Sequence, residues 1–349
     1  MIYFTSDYCE GAHQRILHRL VDTNFVQTPG YGEDEYCKRA ADMIRALCKR
    51  EDLGVHFLVG GTQTNALAID ACLRPHQGVV AVQSGHIAVH ETGAVEAFGH
   101  KVLTLPDMTG QGKLLASQIR ELVSSHYSDP SREHTVQPAM VYISNSTECG
   151  CAYTKSELSE LSRTCRELGL TLFMDGARLG FALMSEGCEL TLADIADLCD
   201  IFYIGGTKQG MLFGEALVVA NSAINNDLRY LIKRHGAMLA KGRLLGIQFE
   251  ALLEDGLYFD LAANADRLAD RIRTELSSLG VEFLYPSLTN QQFPILENSV
   301  IDKLAESFAF EKWATVDGHR TAIRLCTGFA TPDKNVDLLI MELKKLLNK

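Results

Sequence analysis

Short apolar runs alternate with longer stretches of helical periodicity through the first two thirds of the chain. Residues 55–59, 79–83, 102–105, 140–144, 170–174, 201–204 and 216–220 are rich in β-branched or aromatic side chains, and each predicts a strand. A helix-like stretch follows the first of them and runs to Leu73. After the fourth, Thr154-Lys155-Ser156-Glu157 reads as a capping box: the threonine hydroxyl satisfies an early helix amide while the glutamate reaches back. The helix it opens places Leu158, Leu161 and Cys165 on one face and stops at Gly169. Buried strands separated by amphipathic helices predict an α/β fold, with a mainly parallel central sheet covered by helices on both sides.

From Leu257 the texture changes. A long amphipathic helix over 262–279 is followed by short strands near 281–284, 293–296 and 321–325, and by a last helix over 334–347. That pattern predicts a smaller C-terminal α+β domain. The expected division is an N-terminal segment 1–20 packing near the site, a large α/β domain 21–255 and a small domain 256–349. No internal repeat, low-complexity tract or long linker interrupts it.

Composition narrows the function classes. A formal net charge of −11 with no strongly basic run argues against a nucleic-acid partner. No apolar run reaches the roughly 18 residues of a membrane span. Met1–Asp7 lacks a basic stretch followed by an apolar one, so no secretory leader is evident, and ten scattered cysteines suit a reducing cytoplasm. Cys149-Gly150-Cys151 is the one close cysteine pair, and without a second cluster at ligand spacing no metal site is expected.

Chemistry gathers where predicted strands end, which is where ligands sit in open α/β sheets. Phe173-Met174-Asp175-Gly176-Ala177-Arg178 and Ile204-Gly205-Gly206-Thr207-Lys208-Gln209-Gly210 each place a charged residue at such an end. A carboxylate and a lysine brought together there are what pyridoxal phosphate needs. The amine forms the Schiff base, and the carboxylate keeps the pyridine nitrogen protonated so that the ring can accept electrons. Gly60-Gly61-Thr62-Gln63-Thr64-Asn65 leads from a strand into a helix, whose free amides favour a phosphate. It is neither a Walker loop nor a G-x-G-x-x-G turn. His86, after Ser84-Gly85, is placed to stack on a flat ring, with His90 and Glu91 one turn on; His56 reads as structural. Thr207 can bond a phosphate oxygen or only its own turn, and Arg178 offers a fork for a carboxylate. Each residue also has an ordinary alternative: a surface lysine, a local Asp175–Arg178 ion pair, a tight turn, a loop histidine.

The order of these features resembles the threonine aldolase / β-eliminating lyase family of fold-type I pyridoxal-phosphate enzymes. The resemblance spans nearly the whole chain, through Ser6-Asp7, Tyr31-Gly32-Glu33-Asp34, Gly61-Thr62-Gln63, His86, Asp175-Gly176-Ala177-Arg178, Lys208 and Arg324-Leu325. It implies that Lys208 carries the cofactor, Asp175 meets the ring nitrogen, His86 stacks on the ring, and Gly61 and Thr62 hold the phosphate. Ser6, Arg178 and Arg324 would bind the amino-acid carboxylate. Tyr31 and Lys241 would reach the site of a neighbouring subunit in a homodimer or homotetramer. The implied reaction is cleavage of a β-hydroxy amino acid to glycine and an aldehyde. The alternatives are β-elimination in the same fold, or a non-catalytic ligand-binding protein that keeps it. Two departures stand out. Ser144-Asn145-Ser146-Thr147-Glu148-Cys149-Gly150 places Glu148 where many members have a histidine, as in the branch that includes phenylserine aldolase. Thr207-Lys208-Gln209 replaces the commoner Ser-Lys-Gly. The base for the β-hydroxyl is left open between Glu148, His90 and water.

Overall fold

The computed structural model describes residues 1–347. The strands in chain order are β1 (Ile2–Tyr3), β2 (Gly54–Leu58), β3 (Gln77–Val82), β4 (Lys101–Leu105), β5 (Gln137–Ser144), β6 (Thr171–Asp175), β7 (Ile201–Gly205), β8 (Glu215–Val219), β9 (Gln291–Gln292), β10 (Ile295–Glu297), β11 (Phe308–Ala309), β12 (Glu311–Thr315) and β13 (Arg320–Cys326). Seven of them form the central sheet, in the order β2-β8-β7-β6-β5-β3-β4. Only β8 runs against its neighbours in that sheet. The carboxyl ends of the six parallel strands therefore share one edge, and β8 begins there.

Alternation along the strands separates two cores. Val80, Val141, Leu172, Met174, Phe202 and Val218 face one layer of helices. Val79, Met140, Tyr142, Phe173, Tyr203 and Leu217 face the other. Side chains of a strand point alternately to opposite faces, and helices on both faces make both sets apolar. Burying a side chain such as Phe173, which is fully enclosed, contributes about 2–3 kcal/mol. A third core, with Phe4, Leu268, Leu296, Ile323 and Leu339, lies under the second sheet. That sheet has the order β10-β13-β12, with β9 also on β13, and β1 pairs with β11.

The capping box forms as read: Thr154 Oγ1 accepts from Glu157 N–H, Glu157 accepts from Thr154 N–H, and the helix Lys155–Leu168 ends on Gly169 at φ 66°. Three expectations are corrected. The long helix is Leu257–Ser278 and begins five residues earlier than expected, because Gly256 turns the chain at φ 74° and Tyr258 is already buried. The strand expected near 281–284 is a single bridge between Phe283 and Pro294. Pro294 accepts from Ile323 of β13 at 3.0 Å but has no amide to donate back, so the strand expected near 293–296 is split into β9 and β10. β12 had no sequence signal, because Glu311 and Lys312 at its start are exposed.

Candidate active site

Six segments deliver side chains to the common strand edge, around a cavity of about 330 Å³. Gly60 and Gly61 follow β2, His86 follows β3, Ser144 and Glu148 end and follow β5, Asp175 ends β6, Lys208 follows β7, and Glu215 opens β8. Close packing of backbone sets the turn after Asp175: a Cβ on Gly176 would lie 1.8 Å from the Tyr203 carbonyl oxygen. Only glycine admits that approach.

Asp175 is the most heavily bonded side chain of the site. Its Oδ2 accepts from Tyr142 at 2.6 Å and Asn65 at 2.9 Å; its Oδ1 accepts from Tyr203 at 2.5 Å and the Ala177 amide at 2.9 Å. Burial alone would raise its pKa, but the donors, led by the two tyrosine hydroxyls and helped by His86, hold it below the ordinary carboxylate range. Asn65 also donates to Glu91 at 2.7 Å, and Glu91 meets His86 Nδ1 at 2.7 Å. The Asp175–Arg178 ion pair that local sequence allowed does not form.

Arg178 turns instead to the N-terminal segment, where Nε and Nη2 donate to Asp7 at 2.7 and 3.1 Å. Asn290 donates to the same carboxylate at 2.9 Å. The pairing leaves Nη1 and one Nη2 hydrogen for a ligand. Burial would raise Asp7, but the charges of Arg178 and Lys208 outweigh it and hold the carboxyl at about 2. Lys208 is enclosed beside them, with Nζ 6.0 Å from the Tyr8 ring centroid. Burial and then the Arg178 charge push its amine below the ordinary lysine range, toward the neutral form that attacks a carbonyl.

Glu148 accepts from Ser144 Oγ at 2.7 Å and from the His86 amide at 3.0 Å, both on Oε1. Its Oε2 is buried without a partner. Burial raises its pKa, against the opposing Ser144 bond. His90 is stacked obliquely against His86 at 5.5 Å, and burial followed by the His86 charge lowers its pKa.

The remaining expected residues are placed unevenly. Gly61 opens the helix Gly61–Cys72, which has no side-chain cap, so its first amides and that of Thr62 are free for an anion. Thr207 Oγ1 is engaged in its own turn, donating to Glu215 and accepting from Gly214 N–H. Ser6 contacts Cys9 at 3.3 Å. Arg324 donates to the Thr5 carbonyl at 3.0 Å, pairs with Glu311 and leaves Nε buried without a partner. Tyr31 and Lys241 line hollows elsewhere on the surface; Tyr31 N–H donates to Ala240, next to Lys241. Asp7, Asn65, Tyr142, Tyr203 and Glu215 carried no assigned role in the sequence. The signal available was polarity out of place: hydroxyls near the ends of apolar strands, and an acid opening one. Among the described residues no group of three or more His, Cys, Asp or Glu side chains is arranged to hold a metal ion.

Residues 5–299 match the family model described as Beta-eliminating lyase. The chain belongs to the β-eliminating lyase family. Low specificity L-threonine aldolases from Pseudomonas sp. and Pseudomonas aeruginosa are each 32% identical to it, over 86% of this chain and 86% of theirs. A threonine aldolase structure from Leishmania major superposes with a TM-score of 0.96 at 46% identity, over 99% of this chain and 100% of that one. An aspartate aminotransferase variant from Thermus thermophilus, 15% identical with a TM-score of 0.71 over 99% and 91% of the two chains, shares the fold alone. This is the fold-type I architecture, and the cofactor of the β-eliminating lyase family is pyridoxal phosphate. The cavity fits that group: an uncapped helix start for the phosphate, His86 at its wall, a buried carboxylate for the ring nitrogen and a half-buried lysine for the carbonyl.

Asp7 makes the pH dependence of stability testable. Its folded value of about 2 lies below the ordinary 3.8, so it stabilises the fold fully above pH 3.8, and that contribution disappears as pH falls through about 2. The gap is worth about 2 kcal/mol. Urea unfolding followed from neutral pH downward should show this loss. Asp7→Asn should be less stable at neutral pH by about 3 kcal/mol, with Arg178 unpaired, and flatter across the acid window. A variant curve that bends there as the parent's does contradicts the assignment.

Proposed function

We propose that the protein is a pyridoxal-phosphate-dependent aldolase that cleaves a β-hydroxy-α-amino acid between Cα and Cβ. L-threonine, L-allo-threonine or phenylserine would give glycine and an aldehyde. The observation that carries this is the meeting, in one buried cavity, of the Lys208 amine, the Asp175 carboxylate and a second carboxyl, Glu148, with one oxygen unused. The names of the relatives support the substrate class.

When bound, pyridoxal phosphate supplies a carbonyl for Lys208 and a ring that accepts the electron pair of the broken bond. The chain's own residues do the rest. Gly61 and Thr62 amides take the phosphate, and Thr207 steadies the turn beside it. His86 would stand beside the ring, and Asp175 would hold a proton at the ring nitrogen. Arg178, which lines the cavity, would fix the substrate carboxylate through its remaining donors and so orient the Cα–Cβ bond; Ser6 and Arg324, with its unpartnered Nε, stand behind that lining and would have to reach in to share the role. Glu148 takes the β-hydroxyl proton. Its raised pKa moves it toward the operating pH, where a carboxylate base is most effective. His90, held neutral behind His86, is the less well-placed candidate, since it does not line the cavity.

Purified, cofactor-loaded protein offered the three substrates should yield glycine with matching aldehyde. Lys208→Ala should yield none. Glu148→Gln should fall by about 100-fold or more in kcat. In the parent, activity should drop with falling pH at a value above the ordinary 4.5 of a glutamate, and Glu148→Gln should lack that limb. Ammonia in place of glycine would assign the protein to β-elimination. Turnover by Lys208→Ala would overturn the site.

We further propose a homodimer or homotetramer in the cytoplasm, with Tyr31 and Lys241 reaching a neighbour's site. Exposed Val21, Phe25, Val26, Tyr31 and Tyr230 support a buried subunit contact, and ten free cysteines suit a reducing compartment. Segments 1–20, 21–255 and 256–349 are proposed as the domain units, the last two residues lying outside those described. The two larger sheets, at 54–219 and 291–326, support that division. Light scattering of the loaded protein should give at least twice the chain mass, and Lys241→Ala should weaken cofactor retention; a monomer with full activity contradicts the shared site.

A further inference from the structure

Ser146 is buried, lines the cavity and has no part in the reaction as described so far. Among the described residues, two side-chain atoms of the cavity lining are buried without a hydrogen-bond partner: Ser146 Oγ and Glu148 Oε2. Neither is bonded to the other. Both belong to the loop that follows β5, and its residues alternate. Ser144, Ser146 and Glu148 line the cavity, whereas Asn145 and Thr147 do not and instead anchor the loop. Asn145 Oδ1 accepts from the Tyr153 amide at 3.1 Å, and the Asn145 amide donates to the Asp175 carbonyl at 2.9 Å. Thr147 Oγ1 donates to the Gln111 carbonyl at 2.7 Å, and the Thr147 amide to the Cys151 carbonyl at 2.8 Å. Just before β9, Thr289 Oγ1 donates to the Gly150 carbonyl at 3.0 Å. The loop is thus tied down on its far side.

A buried polar group left unpaired costs free energy, and none of the bonds that hold this loop needs a hydroxyl at position 146. A ligand oxygen would supply the missing bond. We propose that Ser146 is a substrate-binding residue that donates to the β-oxygen, the same oxygen whose proton Glu148 takes. A hydroxyl gives one hydrogen and accepts others, so the β-hydroxyl donates to Glu148 Oε2 while it accepts from Ser146 Oγ. On cleavage its proton passes to Glu148, the O–H electron pair becomes the second carbon–oxygen bond of the aldehyde, and the Cα–Cβ pair leaves for the cofactor ring. The aldehyde oxygen still accepts from Ser146. A donor held in place where negative charge develops acts without reorganising. The same donor sets a specificity: an amino acid without a β-oxygen leaves Ser146 and Glu148 unpaired and is disfavoured.

The inference deepens the proposed function and rests on it, but its test reads binding rather than cleavage, so the two fail separately. L-serine and L-alanine differ by the β-oxygen alone. Each is titrated into full-length protein loaded with pyridoxal phosphate, and the change in cofactor absorbance is read by stopped flow before turnover. Ser146→Ala should weaken L-serine by about 10-fold and leave L-alanine within about twofold of the parent. This holds whether glycine or ammonia is the eventual product of the β-hydroxy substrates. Because the hydroxyl bonds nothing in the ligand-free protein, the variant's melting temperature without substrate should match or exceed the parent's. Equal loss for both amino acids, or no loss for L-serine, would overturn the proposal. A variant that melts below the parent or does not fold would overturn it as well, since the hydroxyl would then serve the fold.

Discussion

The buried carboxylate of Asp175 is the constraint around which the site is arranged. An anion enclosed by protein needs donors on its oxygens, and four are supplied from four places in the chain: Asn65, Tyr142, Tyr203 and the amide of Ala177. The polar contacts run on from there in a chain. Asn65 also holds Glu91, Glu91 holds the His86 ring, the His86 amide holds Glu148, and Ser144 gives its one hydroxyl proton to Glu148 at 2.7 Å, with Tyr142, whose own proton goes to Asp175, alongside it. A ring wall, a nitrogen partner and a candidate base are thus parts of one network. Preorganised polar groups in a dry site act without reorganising when charge develops.

A second constraint ties the site to the rest of the molecule. The Asp7–Arg178 pair joins the N-terminal segment to the turn after β6, and Asn290 adds the region next to β9. A buried ion pair is costly to form and more costly to break, so losing either partner would leave an uncompensated charge beside the site. Here it consumes part of the Arg178 fork and sets the Lys208 amine beside a balanced pair of charges.

The sheet was legible because buried parallel strands read as apolar runs, and Asp175 and Lys208 stood out as charges at their ends. The phosphate turn was legible as a glycine pair between a strand and a helix. Partners distant in sequence were not. Nothing near Arg178 in sequence indicates that it prefers Asp7 to Asp175, and Tyr142 and Tyr203 look like core residues until the helix carrying Asn65 is laid over the sheet. Glu215 reads as an ordinary strand start unless the turn before it is known to fold back. β12 was missed because its side chains are mostly polar, and Pro294 divided a strand that apolar patterning had made continuous.

The role of Asp175 is read most directly from the protonation of the cofactor's ring nitrogen. Nitrogen-15 NMR of protein loaded with pyridoxal phosphate labelled at that position reads its protonation. A protonated nitrogen at neutral pH, with the proton lost in Asp175→Asn, is the predicted result. An unprotonated nitrogen in the parent, or one indifferent to Asp175, would contradict the claim that this buried carboxylate organises the site.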